Sequence, residues 1–559
     1  VMNGSIPKLG IWIAIGIGLF VLASIGALIQ YAPTLNLSWI WQDDYYRHIT
    51  YFSFYQAFFS TLLSVGLAIP VAHALSRRQF KGKGLLLKLF ASTLVLPVLV
   101  GVFGILAILG NSGLLADLFT LFDRKLPFSI YGLNGILVAH VFFNLPYASR
   151  LLLQSLESIP FEQHKLCAHL GMNPWQKFYL VEWPRIKQQL PHVAGLVFML
   201  CFTSFSTVMA LGGGPKSTTI ELAIYQAIKF DFDLQSGAIL ALWQMVLCGL
   251  LSLTILKFSR TLPASQAHSG LILGTQSNWA LKLWDGVWIG FSMLVVLPPL
   301  IMVVWQGINP KALIILQNSQ FWQALWSSVQ VAILASSLAL CLGIGILMTS
   351  RAWHLKGHVN RSHGIELLGT IILVTPGIVI STGLFLLLRD QVDVFSLAFW
   401  VVILVNSLMA LPYVIKTLAQ PMLQIAQQYQ YICASLGMKG WSRFRLIEWR
   451  ALNKPIAHAF AISFMFAMGD LSAIALFGSQ SFTTLPLYLF QLLGSYQMQS
   501  AAVVALCLLL FSVLCFALIE TVFKQANKPQ NNKPQSNKSQ SNNRLSPKNN
   551  TVSNQEESH

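Results

Sequence analysis

A chain of 559 residues could hold several soluble domains, but 55% of this one is hydrophobic, only 10% is charged and its mean hydropathy is +0.63. A soluble protein of this size needs far more surface charge, whereas a lipid-facing helix needs about 20 apolar residues in a row; the composition therefore excludes the soluble classes and predicts an all-α integral membrane protein. The net charge of +17 does not point to nucleic acid, because the basic residues are scattered through short loops and form no stripe.

Apolar runs between polar breaks predict twelve membrane spans, centred near Gly18, Gly66, Val98, Val141, Phe202, Val246, Leu294, Leu338, Thr375, Leu404, Phe466 and Leu510. The first run, Ile11 to Ile29, exceeds the apolar stretch of a signal peptide and follows a single basic residue, Lys8, so it reads as a span. With the N-terminus inside, the inner loops carry 19 Lys and Arg, among them Arg77, Arg78, Lys165, Arg351 and Arg450, against 7 in the outer loops. That asymmetry obeys the positive-inside rule and puts both termini in the cytoplasm, as expected of a multi-pass protein of the bacterial inner membrane. Pro97 in the third span and Pro376-Gly377 in the ninth read as kinks. His140 and His192 read as packing or interfacial residues, and the seven cysteines show neither a disulfide framework nor a Cys-X-X-Cys metal spacing.

Between the fourth and fifth spans lies a long inner segment, about 155–190. There Phe161 to Leu170 predicts a short helix stopped by Gly171 in the left-handed conformation. Asn173-Pro174 then supplies an N-cap and a first-turn proline for a second short helix from Trp175. After the fifth span, Gly212-Gly213-Gly214-Pro215-Lys216-Ser217 has the look of a phosphate loop, but Pro215 occupies the glycine position before Lys and no strand precedes it, so it reads as an outer-face turn. With no other candidate, the chain is expected not to hydrolyse ATP and to carry no cofactor or metal. The tail, 524–559, is rich in Asn, Gln, Ser, Lys and Pro and reads as disordered.

The chain is duplicated at an offset of about 266 residues. Cys167-Ala168-His169-Leu170-Gly171-Met172 returns as Cys433-Ala434-Ser435-Leu436-Gly437-Met438, Leu145-Pro146-Tyr147 as Leu411-Pro412-Tyr413, Trp175 as Trp441, and Glu182-Trp183 as Glu448-Trp449. Near the start of each half, Phe54-Tyr55-Gln56-Ala57-Phe58 aligns with Phe321-Trp322-Gln323-Ala324-Leu325, one residue out of step. The expected organisation is a first six-span half over 1–260, a linker over 261–283, a second half over 284–523 with its own inner loop at about 419–454, and the tail. An even number of spans gives both halves the same orientation, with a pathway between them.

These paired loops resemble the hallmark of the permeases of type I ABC importers: Glu-Ala-Ala, three residues, Gly, nine residues, Ile, two residues, Pro. Gly171, Val181 and Pro184 match in the first loop and Gly437 and Ile447 in the second. Lys165 and Tyr431 replace the Glu, Leu166-Cys167 and Ile432-Cys433 replace the Ala pair, and Arg450 replaces the second Pro. The resemblance implies that Lys165, Cys167, Ala168, Gly171, Trp175, Val181, Pro184, Tyr431, Cys433, Ala434, Gly437, Trp441 and Ile447 belong to coupling loops. Each loop would seat on one of two copies of a cytoplasmic ABC ATP-binding subunit. Extended stretches, including Gly132 to Pro160, Val197 to Ile228 and Leu476 to Tyr496, are similar to the family of permeases that serve bacterial thiamine and thiamine pyrophosphate importers. That resemblance implies thiamine as cargo and a periplasmic thiamine-binding protein as partner.

An ionisable group inside a span is a functional candidate by default. Asp470 lies in the eleventh span at the position that Ser204 occupies in the fifth, and Phe205 and Phe466 stand nearby in sequence, so Ser204, Phe205, Phe466 and Asp470 are the candidate pathway residues. A carboxylate among aromatics suits the fixed positive charge of a thiazolium; a bond from Asp470 to a neighbouring helix is the plainer alternative. The same machine with ferric iron or a polyamine as cargo also fits the loops, and an ion-coupled transporter is a further alternative that predicts paired acids within the spans.

Overall fold

The computed structural model describes residues 8–32, 38–93, 96–124, 126–258, 279–370, 372, 375–438 and 444–525. Most of the expected linker and the tail from 526 lie outside them. Among the described residues every regular element is a helix. Ten helical runs are long and apolar enough to cross a membrane, a pair bent by 52° makes an eleventh, and the 13-residue Gly377–Arg389 completes the expected twelve.

In the first half the spans are α1 (Leu9–Tyr31), α2 (Asp44–Arg77), the broken pair α3 (Lys83–Thr93) and α4 (Val98–Leu109), and α5 (Leu133–Glu157). The inner loop holds α6 (Phe161–His169) and α7 (Pro174–Lys177). It leads through a π-helical turn into the bent fifth span, α8 (Trp183–Phe202) and α9 (Phe205–Leu211), then a ten-residue α10 (Ile220–Lys229) and the sixth span α11 (Leu234–Phe258). The second half repeats the order: α12 (Trp279–Gly307), α13 (Ser319–Leu355), the broken pair α14 (Val359–Gly369) and α15 (Gly377–Arg389), α16 (Val394–Gln428), loop helix α17 (Gln430–Ser435), the broken eleventh span α18 (Trp449–Gly469) and α19 (Ser472–Phe477), short α20 (Leu485–Gly494), and α21 (Met498–Gln525). Pro97 and Pro376 stand at outright breaks, immediately before α4 and α15, because neither proline can donate to the preceding turn.

The short helices α10 and α20 reveal the true register of the duplication. The Ser53 hydroxyl accepts the Ile220 N–H at 3.0 Å at the start of α10, and the Ser328 hydroxyl accepts the Leu485 N–H at 2.7 Å at the start of α20. Asp43 and Asn318 likewise cap the two second spans. Phe54 therefore corresponds to Val329 and not to Phe321, which corrects the alignment drawn from the aromatic strings. Aromatic–Gln–Ala strings recur easily in apolar helices, whereas a shared hydrogen bond fixes geometry. In the inner loops the 266-residue offset holds, since the π-helical turns are Phe178–Glu182 and Phe444–Glu448.

The first span of each half packs on the other half: α1 lies on α13, α14 and α15, and α12 on α2 and α4. Two glycines permit these crossings. A Cβ on Gly104 would come within 2.4 Å of the Pro299 carbonyl oxygen, and one on Gly383 would clash with the Ser24 hydroxyl, which itself donates to the Ile380 carbonyl at 3.2 Å. At the loop end of the bundle, the fully buried Asp285 of α12 is ion-paired to Arg77 and, at 2.7 Å, to Arg78, both at the end of α2. In the corresponding place α1 is held by the Gly10 N–H, which donates to Thr349 at 3.1 Å. Replacing Asp285 by Ala strands the buried Arg77 charge, and removing one partner of a buried pair costs about 3–5 kcal/mol. We expect Asp285→Ala to lower the unfolding temperature in detergent markedly, with Asp285→Asn intermediate.

Candidate functional site

The first inner loop folds locally as its residues dictate. Helix α6 ends on Gly171 with φ +63°, where the Met172 N–H donates to the Cys167 carbonyl at 3.0 Å and the Gly171 N–H to the Ala168 carbonyl at 3.1 Å. This glycine-based C-cap is the one expected from sequence. The Asn173 side chain then accepts the Gln176 N–H at 2.8 Å, while the Gln176 side chain accepts the Asn173 N–H at 3.0 Å, with Pro174 at the first helical position. In the second loop Gly437 has φ +64° and the Met438 N–H donates to the Cys433 carbonyl at 2.9 Å. Ala434 lies within α17, whereas Trp441 and Lys439-Gly440 fall outside the described residues.

The candidate loop residues divide by the direction they face. Lys165, Ala168 and Pro184 are exposed, Trp175 is 72% exposed and Tyr431 82%, and the apolar Leu166, Leu170, Tyr179, Ile432 and Leu436 beside them are also open. Val181 and Ile447 are half-buried. Cys167 and Cys433 are buried at 5% and 1% exposure, so they anchor their helices and do not belong to the outward face. The Lys165 ammonium sits 4.8 Å from the centre of the Phe161 ring. A groove of about 440 Å³, lined by Gln163, Leu166, Met172, Leu180, Val181 and Arg185 among others, runs along α6. Burial pushes the His164 imidazole below its ordinary range, Lys177 adds to this, and Glu182 opposes it. A contiguous apolar face rimmed by polar groups is a docking surface in form.

Sequence reasoning missed how these loops are tied to the bundle. Glu182, the last residue of the first π-helical turn, pairs with His73 of α2 at 2.7 Å and with Lys177 at 3.5 Å. Glu448, in the matching place, pairs with Arg351 of α13 at 2.8 Å. Both acids were visible in the repeat, but their partners on α2 and α13 are far away in sequence.

The candidate pathway residues lie at the breaks of the fifth and eleventh spans. Ser204 directly precedes α9; its hydroxyl lies 2.9 Å from Nε2 of His140, whose Nδ1 is 2.7 Å from the Ser60 hydroxyl. His140 is thus buried at the centre of a polar chain, contacts that its reading as a packing or interfacial residue did not foresee; His192 is half-buried in α8. Phe205 is buried edge-on against Tyr225, with ring centres 5.5 Å apart. Asp470 accepts the Ser472 N–H at 3.2 Å, the Ser472 hydroxyl at 2.7 Å and the Ala473 N–H at 3.1 Å, capping α19 within its own span. Phe466, one turn earlier, stacks on Tyr413 at 4.3 Å. Ser204 and Asp470 occupy equivalent breaks, but no hydrogen bond joins them among the described residues. Around Asp470 three breaks converge: a Cβ on Gly469 would lie 2.9 Å from Cα of Pro97, and one on Gly377 would lie 2.9 Å from the Ser472 hydroxyl.

The short helices α10 and α20, also missed, reach across the halves, α10 to α15 and α19, α20 to α4. At the end of α10 the Lys229 ammonium donates to the carbonyls of Leu476 at 3.2 Å and Gly478 at 3.1 Å, where α19 runs out.

Residues 342–527 match the model of the binding-protein-dependent transport system inner membrane component family. The chain is 47% identical to the thiamine transport system permease protein ThiP of Salmonella typhimurium over 89% of its own length and 93% of that protein's. It is 47% identical to ThiP of Escherichia coli with the same coverage, and 42% identical to that of Haemophilus influenzae over 86% of this chain and 89% of the relative. Identity at this level across both halves, together with two equivalent loops and twelve helical spans, shows that the chain belongs to the ThiP family of inner-membrane transport permeases.

Proposed function

We propose that this chain is the translocating subunit of an ATP-driven importer that carries thiamine, and its phosphates, across the inner membrane by alternating access. The observation that carries the cargo assignment is the identity to ThiP proteins over nearly nine-tenths of the chain, both halves included. A soluble motor is required, because no phosphate-binding loop is present in the sequence: Pro215 spoils the one candidate, and Gly213 and Gly214 there form a turn with positive φ. In this reading both termini and both loops are cytoplasmic. One copy of the chain seats two ATP-binding subunits, one per loop, and a periplasmic thiamine-binding protein delivers cargo to the opposite face. The exposed apolar residues of α6 and α17 form the seats.

Asp470 contributes a negative charge where three broken spans meet, a placement suited to a thiazolium, although the N-terminus of α19 already stabilises part of that charge. Ser204, Phe205 and Phe466 complete the pathway, with His140 orienting Ser204.

Labelled thiamine uptake in a thiamine-requiring strain lacking this chain tests the assignment: the cloned chain restores uptake, and restoration that ignores the gene rejects it. Mass measurement of the purified complex is expected to give one chain with two ATP-binding subunits; two chains per complex would refute the arrangement. Valine at Gly171 and Gly437 forces a left-handed backbone that costs an L-residue about 1–2 kcal/mol; each substitution is expected to weaken co-purification of the ATP-binding subunit. Asp470→Asn keeps an acceptor for the cap and removes the charge. We expect unchanged assembly and uptake lowered about tenfold, which corresponds to ~1.4 kcal/mol; unchanged uptake would reduce Asp470 to a helix cap.

A further inference from the structure

We infer that Glu182 and Glu448 are positioning residues: each ties its coupling loop to the second span of its own half, so that movement of the loop is passed into the bundle and not absorbed at the π-helical turn. The inference rests on the reading that the loops receive motion from ATP-binding subunits.

Three observations support it. The two acids close the two π-helical turns, are 4% and 1% exposed, and reach the same pair of spans, α2 and α13. A π-helical turn inside an α-helical run is uncommon and tends to mark a functional place. Here it stands between the docking helix and the fifth or eleventh span, where a loosely wound segment would take up displacement unless tied.

The cations that hold the acids are not equivalent, and this is the more telling point. In the register fixed by Ser53 and Ser328, Arg351 of α13 falls opposite Ser76 of α2, the residue before Arg77. Arg351 holds Glu448, but Arg77 is engaged by Asp285 of the second half's first span. One turn earlier on α2, His73 takes over, with Lys177 supplying a second cation to Glu182. The link has persisted while its chemistry changed, so the constraint is on having a link. Stability is a poor explanation for it, because a buried ion pair is often no better than well-packed apolar side chains. Glu182 is met by His73 and Lys177, with the charge of Arg77 also bearing on it, and the ring of Phe178 packs on His73 at 4.7 Å.

The test uses the full complex of this chain, its ATP-binding subunits and its binding protein, in proteoliposomes with labelled thiamine, and reads thiamine imported per ATP hydrolysed. Arg351→Glu and Glu448→Arg are each expected to lower that ratio by about fivefold or more while the complex still assembles and hydrolyses ATP, the scale of a typical coupling free energy. The doubly reversed chain, carrying both, should recover the ratio. In the first half, His73→Ala should lower it and His73→Arg should leave it intact. Uptake and hydrolysis falling in parallel, an unchanged ratio, or single variants that fail to assemble with or without rescue would each overturn the inference, leaving the pairs as plain structural contacts. A wild-type complex that binds no ATP-binding subunit or imports no thiamine would instead refute the proposed function.

Discussion

Inside a bilayer a backbone N–H or C=O has no water to turn to, so every interruption of a spanning helix must be answered by a partner from the protein. Most of the structure can be read as a set of such answers. Four spans are interrupted, the third, fifth, ninth and eleventh. Asp470 takes up the free N–H groups that open α19, and Lys229 takes up the carbonyls where α19 ends. Ser53 and Ser328 do the same for the first N–H of α10 and α20, each from the neighbouring second span. Broken backbone is tolerated at membrane depth only where protein buries it or a cavity needs it. Pro97, Gly377 and Asp470 bring three such breaks into close contact, each buried by the others.

The same requirement explains why the halves are interlocked and not simply adjacent. Each first span lies on the opposite half, pressed against Gly104 or Gly383, and α10 carries Lys229 over to α19. Tyr31 at the end of α1 donates to Asp390 at 2.5 Å just beyond α15, so one half is fastened to the other near both ends of that helix. Exchange of the first spans, with the ties at Thr349, Asp390 and Lys229, opposes simple separation of the halves.

The features legible in the sequence were those written locally. Gly171, Gly437 and Asn173-Pro174 fix their caps within three or four residues, and the observed φ angles and reciprocal bonds follow from them. The spans were legible because a run of about 20 apolar residues has few other uses. What escaped were contacts across the fold. Nothing near His140 announces Ser60 and Ser204, so a histidine in an apolar run looked like packing. Helices α10 and α20 are too short to span and sit behind turns, which left them unassigned. The register of the second spans was misjudged because composition imitates homology in apolar helices, and only the Ser53 and Ser328 bonds distinguish the two alignments.

Fusion of two halves on one chain has a physical consequence that the residues record. A pathway between identical halves presents every side chain twice, so an acid placed for a cation appears on both sides. Here Asp470 faces the break from one half and Ser204 stands at the equivalent place in the other. The loop end shows the same freedom: α12 is fastened through an ionic cluster at Asp285, α1 through the hydrogen bond from the Gly10 N–H to Thr349. Arg77 is paired with Asp285, and Glu182 of the first loop is met by His73 and Lys177. The two halves, equal in architecture, thus hold their loops through different cations, His73 and Lys177 in the first and Arg351 in the second.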